Sequence, residues 1–206
     1  MLGEPRSRPV RLVVRRVAAA SATLLGALLL LAAIAEIPLR DGLRALQAGD
    51  GPTAVRDFGT AHALRPWDGD LDAQIAHALI GQPIPGQPSA VIDGYLHRAR
   101  AAFPEDPWML TDAGLHAGQN GKLIDALTYL DHAHRVAPND PQVYLIRGQV
   151  RARANNTRGA IADLRASASL SPKSPMPLQL LANVYRQVGQ TKLADAALAQ
   201  AAALGP

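Results

Sequence analysis

Residues 107–140 read PWMLTDAGLHAGQNGKLIDALTYLDHAHRVAPND, and residues 141–174 read PQVYLIRGQVRARANNTRGAIADLRASASLSPKS. The two stretches are equal in length, and each has a Gly at its position 8 and a Pro at its position 32. A fixed period of this length is typical of stacked repeats, each of which is one supersecondary unit. The pair therefore predicts that the fold is an array.

The same period extends outward from this pair in both directions. Prolines end the units at spacings of 38, 34, 34 and 34, and they are Pro66, Pro104, Pro138, Pro172 and Pro206. Small residues recur earlier in each unit at Gly42, Ala76, Gly114, Gly148 and Ala182. Further columns lie twelve, eight and five residues before each Pro, and these offsets describe one helical face. The four extra residues of the second unit fall in the loop-forming stretch QPIPGQP, residues 82–88.

On these columns the chain resembles the tetratricopeptide repeat (TPR) family, whose unit is a pair of antiparallel helices. The resemblance implies an all-α solenoid, a right-handed superhelix of helical hairpins. It implies small residues where the two helices approach, a Pro that ends the second helix, and turn glycines at Gly49, Gly121 and Gly189. Five units are expected at about 35–68, 69–106, 107–140, 141–174 and 175–206.

Arrays of this kind bind through a concave face lined by the first helix of each unit. On a 3.6-residue period, the inward side chains are predicted to be His77, Asp112, Gln119, Gln149, Arg153, Asn183, Arg186 and Gln187. Amides pair with a peptide backbone and arginines with carboxylates, so this set favours an extended peptide. The alternative for each residue is an ordinary solvated surface. A lysine clamp for a peptide carboxylate is not expected, because Lys122, Lys173 and Lys192 fall at turns or on second helices.

Two features depart from the family pattern. Arg151 stands where a large, often aromatic residue is usual, and Ala117 is small at the equivalent place. Either packing is looser there, or Arg151 lays its stem on the core and sends its guanidinium outward. The last unit also stops without a covering polar helix, which predicts an apolar end.

The N-terminal segment determines topology. Residues 17–35 read VAAASATLLGALLLLAAIA, which carries no charge. As a helix it is about 28 Å long, close to the thickness of the hydrocarbon core. Arginines precede it and Glu36 follows, so the positive-inside rule predicts a basic cytoplasmic arm at 1–16, a transmembrane helix or signal anchor at 17–36, and an extracytoplasmic solenoid at 37–206.

A cleaved signal peptide is the alternative to an anchor. Ala33, Ile34 and Ala35 form a small-residue cleavage pattern before Glu36, and cleavage near Ala35 would release the rest of the chain. The apolar run exceeds the usual length of a signal core, which favours retention. Both interpretations export the repeats.

Composition excludes several classes of protein. Residues 1–16 hold five Arg and one Glu, a net charge of +4, and the remainder has 16 basic and 16 acidic residues. Because the repeats are neutral, we expect no nucleic-acid binding. The chain has no Cys, which excludes disulfides, thiolate metal sites and cysteine nucleophiles. Aromatic residues make up only 4% of the chain, which argues against a β-sandwich.

Candidate catalytic and metal sites are absent from the sequence. His132 and His134 are two apart and would diverge on a helix, so we expect exposed residues without a metal. Asp68, Asp70 and Asp72 resemble the start of a calcium loop but lack its later Gly and Glu, so helix capping explains them better. No nucleophile or phosphate motif occurs. We expect no enzyme activity, no cofactor and no metal.

The functional expectation is a membrane-anchored, extracytoplasmic scaffold that binds a protein or peptide partner in the cell envelope and contacts the bilayer through residues 17–36. Residues 38–68 resemble the repeat-bearing tails of bacterial O-antigen ligase or polysaccharide polymerase-type membrane proteins, which implies a role in envelope polysaccharide assembly. The alternative is a periplasmic peptide-binding holdase or adaptor, for example in cytochrome c maturation.

Overall fold

The computed structural model describes residues 8–87 and 89–205. These residues form ten α-helices: α1 (Arg8–Gln47), α2 (Gly51–Leu64), α3 (Gly69–Gly81), α4 (Ser89–Ala102), α5 (Pro107–Gln119), α6 (Leu123–Val136), α7 (Pro141–Arg153), α8 (Thr157–Leu170), α9 (Met176–Gln187) and α10 (Thr191–Ala203). The chain divides into two compact units, Met1–Leu71 and Asp72–Pro206. Residues 1–7 of the predicted basic arm and Pro206, the last of the spaced prolines, lie outside the described residues.

The helices repeat the sequence period. The first helices α5 and α7 begin one period apart, at Pro107 and Pro141, and the second helices α6, α8 and α10 begin at the same interval, at Leu123, Thr157 and Thr191. Every regular element of the described residues is helical. The fold is therefore an all-α array of hairpins.

The first unit contains a single unbroken helix where a membrane segment followed by a repeat was expected. Helix α1 has 40 residues and runs through Pro38, which has no N–H to donate to the carbonyl of Ile34. Residues 15–30 are exposed, whereas Ala35, Leu39 and Leu46 are buried. Since these residues pack in the hairpin with α2, the apolar segment continues directly into the first repeat.

In the second unit, small residues allow close approach within the hairpins. A Cβ added to Gly114 of α5 would lie 2.5 Å from Cγ of Leu130 in α6, and one added to Gly148 of α7 would lie 2.8 Å from Cγ of Leu164 in α8. Leu130 and Leu164 are fully buried. At Gly114 and Gly148 the absence of a side chain is thus a packing requirement, since an added side chain would displace the core of the hairpin.

Helices α3 and α4 are linked by a polar contact. Asp72 in α3 is buried and accepts a hydrogen bond from Nε of Arg98 in α4 at 2.8 Å. The expected capping role therefore does not describe Asp72. Asp68 does cap α3, because its carboxylate accepts hydrogen bonds from the backbone N–H groups of Asp70 and Leu71, both at 3.1 Å.

A buried ion network joins α6, α7 and α8. Arg147 of α7 is 5% exposed and donates to both carboxylate oxygens of Asp163 in α8, at 3.0 and 2.9 Å, and to Asp131 in α6 at 3.2 Å. Arg151 adds a bond to Asp163 at 2.8 Å. Burial alone would lower the pKa of Arg147, but the carboxylates of Asp163 and Asp131 raise it. The Arg151 guanidinium thus turns to this network.

The turns between paired helices need a left-handed residue. Gly49, Gly121 and Gly189 have φ of 77°, 76° and 74°, as expected for turn glycines, and Asn155 occupies the same register with φ of 58°. Asn tolerates this conformation better than other side chains. The turn at Asn155 therefore has the same conformation as the others, although its residue is Asn instead of Gly.

Replacing Gly121 by Ala is expected to lower the free energy of unfolding by about 1–2 kcal/mol, because an L side chain is strained at positive φ. No atom lies within 4 Å of the added Cβ, so the loss is purely conformational. Gly121→Asn should cost less, since Asn155 already holds this conformation. Urea unfolding of both variants measures the difference, and an equal loss from the two would contradict the explanation.

Candidate functional site

The first helices of the second unit line two neighbouring cavities. The Arg153 cavity, between α5, α7 and α9, has a volume of about 400 Å³. Its lining combines apolar and polar side chains, namely Leu115, Gly118, Gln119, Gln149, Val150, Ala152, Arg153, Leu164, Leu180, Asn183, Val184 and Gln187. The buried side chains of Val150, Leu164 and Val184 form an apolar floor, and the polar residues, which are more exposed, stand around it.

Five of the eight residues predicted for the concave face line this cavity. They are Gln119, Gln149, Arg153, Asn183 and Gln187. These residues come together at one cavity because positions one period apart on successive first helices are equivalent in the array. Gln149 and Asn183 occupy one such register and Arg153 and Gln187 another.

Two of these side chains are held by the protein itself. Arg153 donates from Nη1 to the carbonyl oxygen of Gly118 at 2.6 Å, and Gln119 donates to the carbonyl of Ile80 at 3.4 Å. Among residues 8–87 and 89–205, the amides of Gln149, Asn183 and Gln187 make no hydrogen bond to the protein. Each free amide offers donors and an acceptor to a bound chain.

The second cavity, named here the His77 cavity, lies between α3, α5 and α7. Its volume is about 260 Å³, and its lining consists of His77, Ile80, Gly81, Trp108, Thr111, Asp112, Leu115, Asp140, Gln142 and Ile146. Leu115 lines both cavities, so the two are adjacent. We call the pair the α3–α9 groove.

The His77 cavity contains an aromatic stack over a buried carboxylate. The rings of His77 and Trp108 stack at 4.7 Å with an angle of 18°, and His77 Nδ1 lies 2.9 Å from Oδ2 of Asp112. Asp112 is buried, whereas Trp108 is 58% exposed. Burial raises the pKa of Asp112, and the neighbouring His77 only partly opposes that rise.

Arg186 is placed away from the other predicted residues. It is exposed, its guanidinium lies 3.9 Å from the carboxylate of Asp195 in α10, and it lines neither cavity. Arg186 directly precedes Gln187, and on a helix the two side chains point about 100° apart: Gln187 lines the Arg153 cavity, whereas Arg186 points toward α10.

His132 and His134 are half-buried rather than exposed, and each has its own partner. His132 Nε2 lies 2.9 Å from Glu105, while the ring of His134 packs edge-on against Tyr144 at 4.9 Å. Burial lowers the pKa of His134. The two imidazoles therefore do not form a joint site.

Two features of the groove could not be predicted from the sequence: its apolar floor, and its aromatic wall, which is the stacked rings of His77 and Trp108. Val150, Leu164 and Val184 carry the same hydrophobic pattern as other core residues, so periodicity does not distinguish them. Trp108 sits next to the unit boundary, and nothing in the repeat pattern marks it as part of a site.

Asp112→Asn is expected to stabilise the protein at pH 7 relative to the native chain, and to leave stability unchanged below about pH 3.8, the ordinary pKa of Asp. Because the folded-state pKa of Asp112 is raised, the native chain loses stability as pH rises from that value through the folded pKa. Asn cannot ionise and avoids this loss. Urea unfolding at acidic and neutral pH measures the effect, and a variant less stable at pH 7 than the native chain would contradict it.

Comparisons with known proteins bear on the fold. No protein-family model and no curated protein matches the sequence. Among solved structures, a thermophilic TPR protein of Thermus thermophilus is 23% identical, with a TM-score of 0.66 over 84% of this chain and 92% of that one. MamA from Desulfovibrio magneticus RS-1 is 16% identical, with a TM-score of 0.66 over 82% of this chain and 94% of the other.

These likenesses agree with the repeat period of the sequence, the turn glycines and the close approach of the paired helices at Gly114 and Gly148. At sequence identities of 16% and 23%, they show similarity of the backbone fold alone. The chain has the tetratricopeptide-repeat fold.

Proposed function

We propose that this protein is a binding scaffold that holds an extended peptide segment of a partner protein in the α3–α9 groove. The observation that carries the proposal is the convergence of Gln149, Arg153, Asn183 and Gln187 around one apolar floor. An extended peptide has unpaired backbone N–H and C=O groups on both sides, and amides satisfy both kinds. The floor receives an apolar side chain, which supplies affinity by burial.

We also propose that the protein binds its partner in the groove without catalysing a reaction. Among the described residues that line the groove, the one imidazole is that of His77, and it stacks on Trp108 beside Asp112 instead of facing a nucleophile. Replacing His132 and His134 by Ala should leave partner binding intact, because neither lines the groove.

The proposal also includes a membrane anchor with the N-terminus in the cytoplasm and the repeats outside. Helix α1 contains a segment with mean hydropathy 2.3, long and apolar enough to cross a membrane, although a signal sequence meets the same criterion. Leu24, Leu25, Leu29 and Leu30 are about 60% exposed, as expected of side chains that face lipid. Retention is supported by Ala35, the last residue of the cleavage pattern, which is fully buried in the folded chain.

Because the chain has no Cys, single cysteines can test this topology without background. Arg158→Cys lies on the exposed side of α8. In cells whose outer layers are permeable but whose cytoplasmic membrane is intact, it should react with a membrane-impermeant maleimide, whereas Ser7→Cys should react only after lysis. A tag at the N-terminus that stays on the full-length protein indicates an anchor. Loss of about 35 N-terminal residues from the mature protein would contradict it.

For the partner, we propose a component of cell-envelope polysaccharide assembly. Support comes from the likeness of residues 38–68 to the tails of polysaccharide ligases and polymerases, and from α1, which connects the apolar segment to the first hairpin without a break. The second candidate is a holdase or adaptor, for example in cytochrome c maturation, and the broad apolar floor of the Arg153 cavity favours it.

Chemical crosslinking in membranes, followed by mass spectrometry, distinguishes these candidates. The native chain is compared with the groove variant Gln149→Glu, Asn183→Asp, which preserves size and introduces charge beside the floor. The scaffold predicts one dominant envelope protein that is lost from the variant. Many exported clients, lost together, would indicate a holdase, and no difference between the two chains would contradict groove binding.

A further inference from the structure

The two halves of the groove differ in charge. The Arg153 cavity has a guanidinium and amides at its edge, whereas the His77 cavity has two carboxylates, Asp112 and Asp140. Among the described residues, the lining of the His77 cavity includes neither Lys nor Arg. A ligand that spans both cavities therefore meets an acidic environment at one end only.

The placement of Asp112 is unusual for a carboxylate. It is 6% exposed and lies on the inward side of α5, although a buried carboxylate costs stability unless it is paired. Its partner is His77 at 2.9 Å, and Asp106, the N-cap of the same helix, adds negative charge nearby. The second carboxylate, Asp140, also accepts the backbone N–H of Gln142 at 2.8 Å, which leaves lone pairs available.

The aromatic wall, like the two carboxylates, favours a positively charged ligand. One ring face of Trp108 stacks on His77, yet 58% of the residue is exposed. Trp is the aromatic side chain that best attracts a cation through its ring face. An exposed indole beside a buried carboxylate thus combines the two contacts that a Lys or Arg side chain uses.

We propose that the His77 cavity binds a Lys or Arg side chain of the partner peptide, with Trp108 against its alkyl stem and charged head and Asp112 as counterion. This inference deepens the proposed function and rests on it: the same peptide places an apolar residue over the floor of the Arg153 cavity. The His77 cavity determines which peptides bind, because it selects a Lys or Arg side chain. The free amides of the Arg153 cavity bind the backbone, which all peptides share.

The inference is tested with degenerate peptide pools bound to the full-length protein in lipid nanodiscs, measured by fluorescence anisotropy. One position is fixed as Lys, as norleucine, which has a similar alkyl chain without the charge, or as Glu. The Lys pool is expected to bind about tenfold more tightly than the norleucine pool, and the Glu pool more weakly than both.

Variants assign that preference to the cavity. Asp112→Asn and Trp108→Leu should each weaken binding of the Lys pool severalfold more than binding of the norleucine pool, while Trp67→Leu, at an equally exposed Trp of the first unit, should change neither. Thermal unfolding monitored by circular dichroism checks that each variant is folded.

The outcomes separate this inference from the proposed function. Equal binding of all three pools, abolished by the charged variant of Gln149 and Asn183, would overturn the cation preference and support the groove. A Lys preference that persists in Asp112→Asn and Trp108→Leu would overturn the assignment to this cavity. Binding of no pool would contradict both proposals.

Discussion

Replacing Arg147 by Ala is expected to lower the free energy of unfolding by about 3–5 kcal/mol, because it leaves the carboxylate of Asp163 buried without its counterion. Asp163 is 3% exposed in the native chain, so its carboxylate relies on hydrogen bonds from the protein rather than from solvent. Arg151 keeps one bond to Asp163 at 2.8 Å, and it limits the loss to the lower part of this range. Urea unfolding at neutral pH and moderate salt measures the change.

The control for this prediction separates charge burial from lost packing. The double variant Arg147→Met, Asp163→Leu removes both charges and fills similar volume, so it should recover most of the stability. Arg158→Ala, an exposed Arg of α8, should change stability by less than about 0.5 kcal/mol. If Arg147→Ala costs no more than Arg158→Ala, the network does not stabilise the junction of α6, α7 and α8.

Gly114→Ala is the second change with a large expected effect. Its Cβ would lie 2.5 Å from Cγ of Leu130 and 3.0 Å from Cδ2, closer than packed carbon atoms approach. Overpacking of this kind costs about 1–3 kcal/mol. The loss outweighs the gain in helix propensity, which is at most about 1 kcal/mol. Thermal or urea unfolding reports the result as a lower midpoint.

Two companion variants show whether the clash is the cause. Gly94→Ala in α4 meets only the flexible end of Arg98, at 3.5 Å, so it should be neutral or stabilising. In a Leu130→Ala background the atoms that clash with the new Cβ are absent, and adding Gly114→Ala should cost nothing further. A similar loss in both backgrounds would assign the effect to the backbone instead of to Leu130.

The periodic part of the fold could be predicted from the sequence because the period is a local, repeated constraint. Two Gly residues one period apart predict the same close approach in each unit, as Gly114 and Gly148 show. Turn positions follow for the same reason, and Asn155 shows that the constraint is on φ rather than on residue type. Such features need no knowledge of distant contacts.

Pairings between helices could not be predicted, because they depend on which side chains meet in space. Asp72 reads as a helix cap in sequence, but Arg98 of the following helix pairs with it in the structure. Arg147 and Asp163 likewise read as ordinary helix-surface charges. In the structure, Asp72, Arg147 and Asp163 are buried. A hydrophobic pattern of period 3.6 does not predict the burial of charged residues.

The candidate site was predictable in part for the same reason. Residues in the registers of Gln149 and Arg153 fall together because each first helix repeats the geometry of the one before it. Arg186 lies apart because a period assigns only an approximate direction to a side chain, and its neighbour Gln187 takes the inward position. The aromatic wall requires the stack of His77 and Trp108 between two different helices, which sequence spacing does not reveal.

The central claim is that the α3–α9 groove holds the partner, and site-specific photocrosslinking tests it most directly. A photoreactive amino acid is placed at Asn183, on the edge of the Arg153 cavity, or at Ala162, an exposed position of α8 outside it. Irradiation of intact cells is predicted to give a crosslinked partner from position 183 and none from position 162. Equal crosslinking from both positions, or crosslinking from position 162 alone, would contradict the claim.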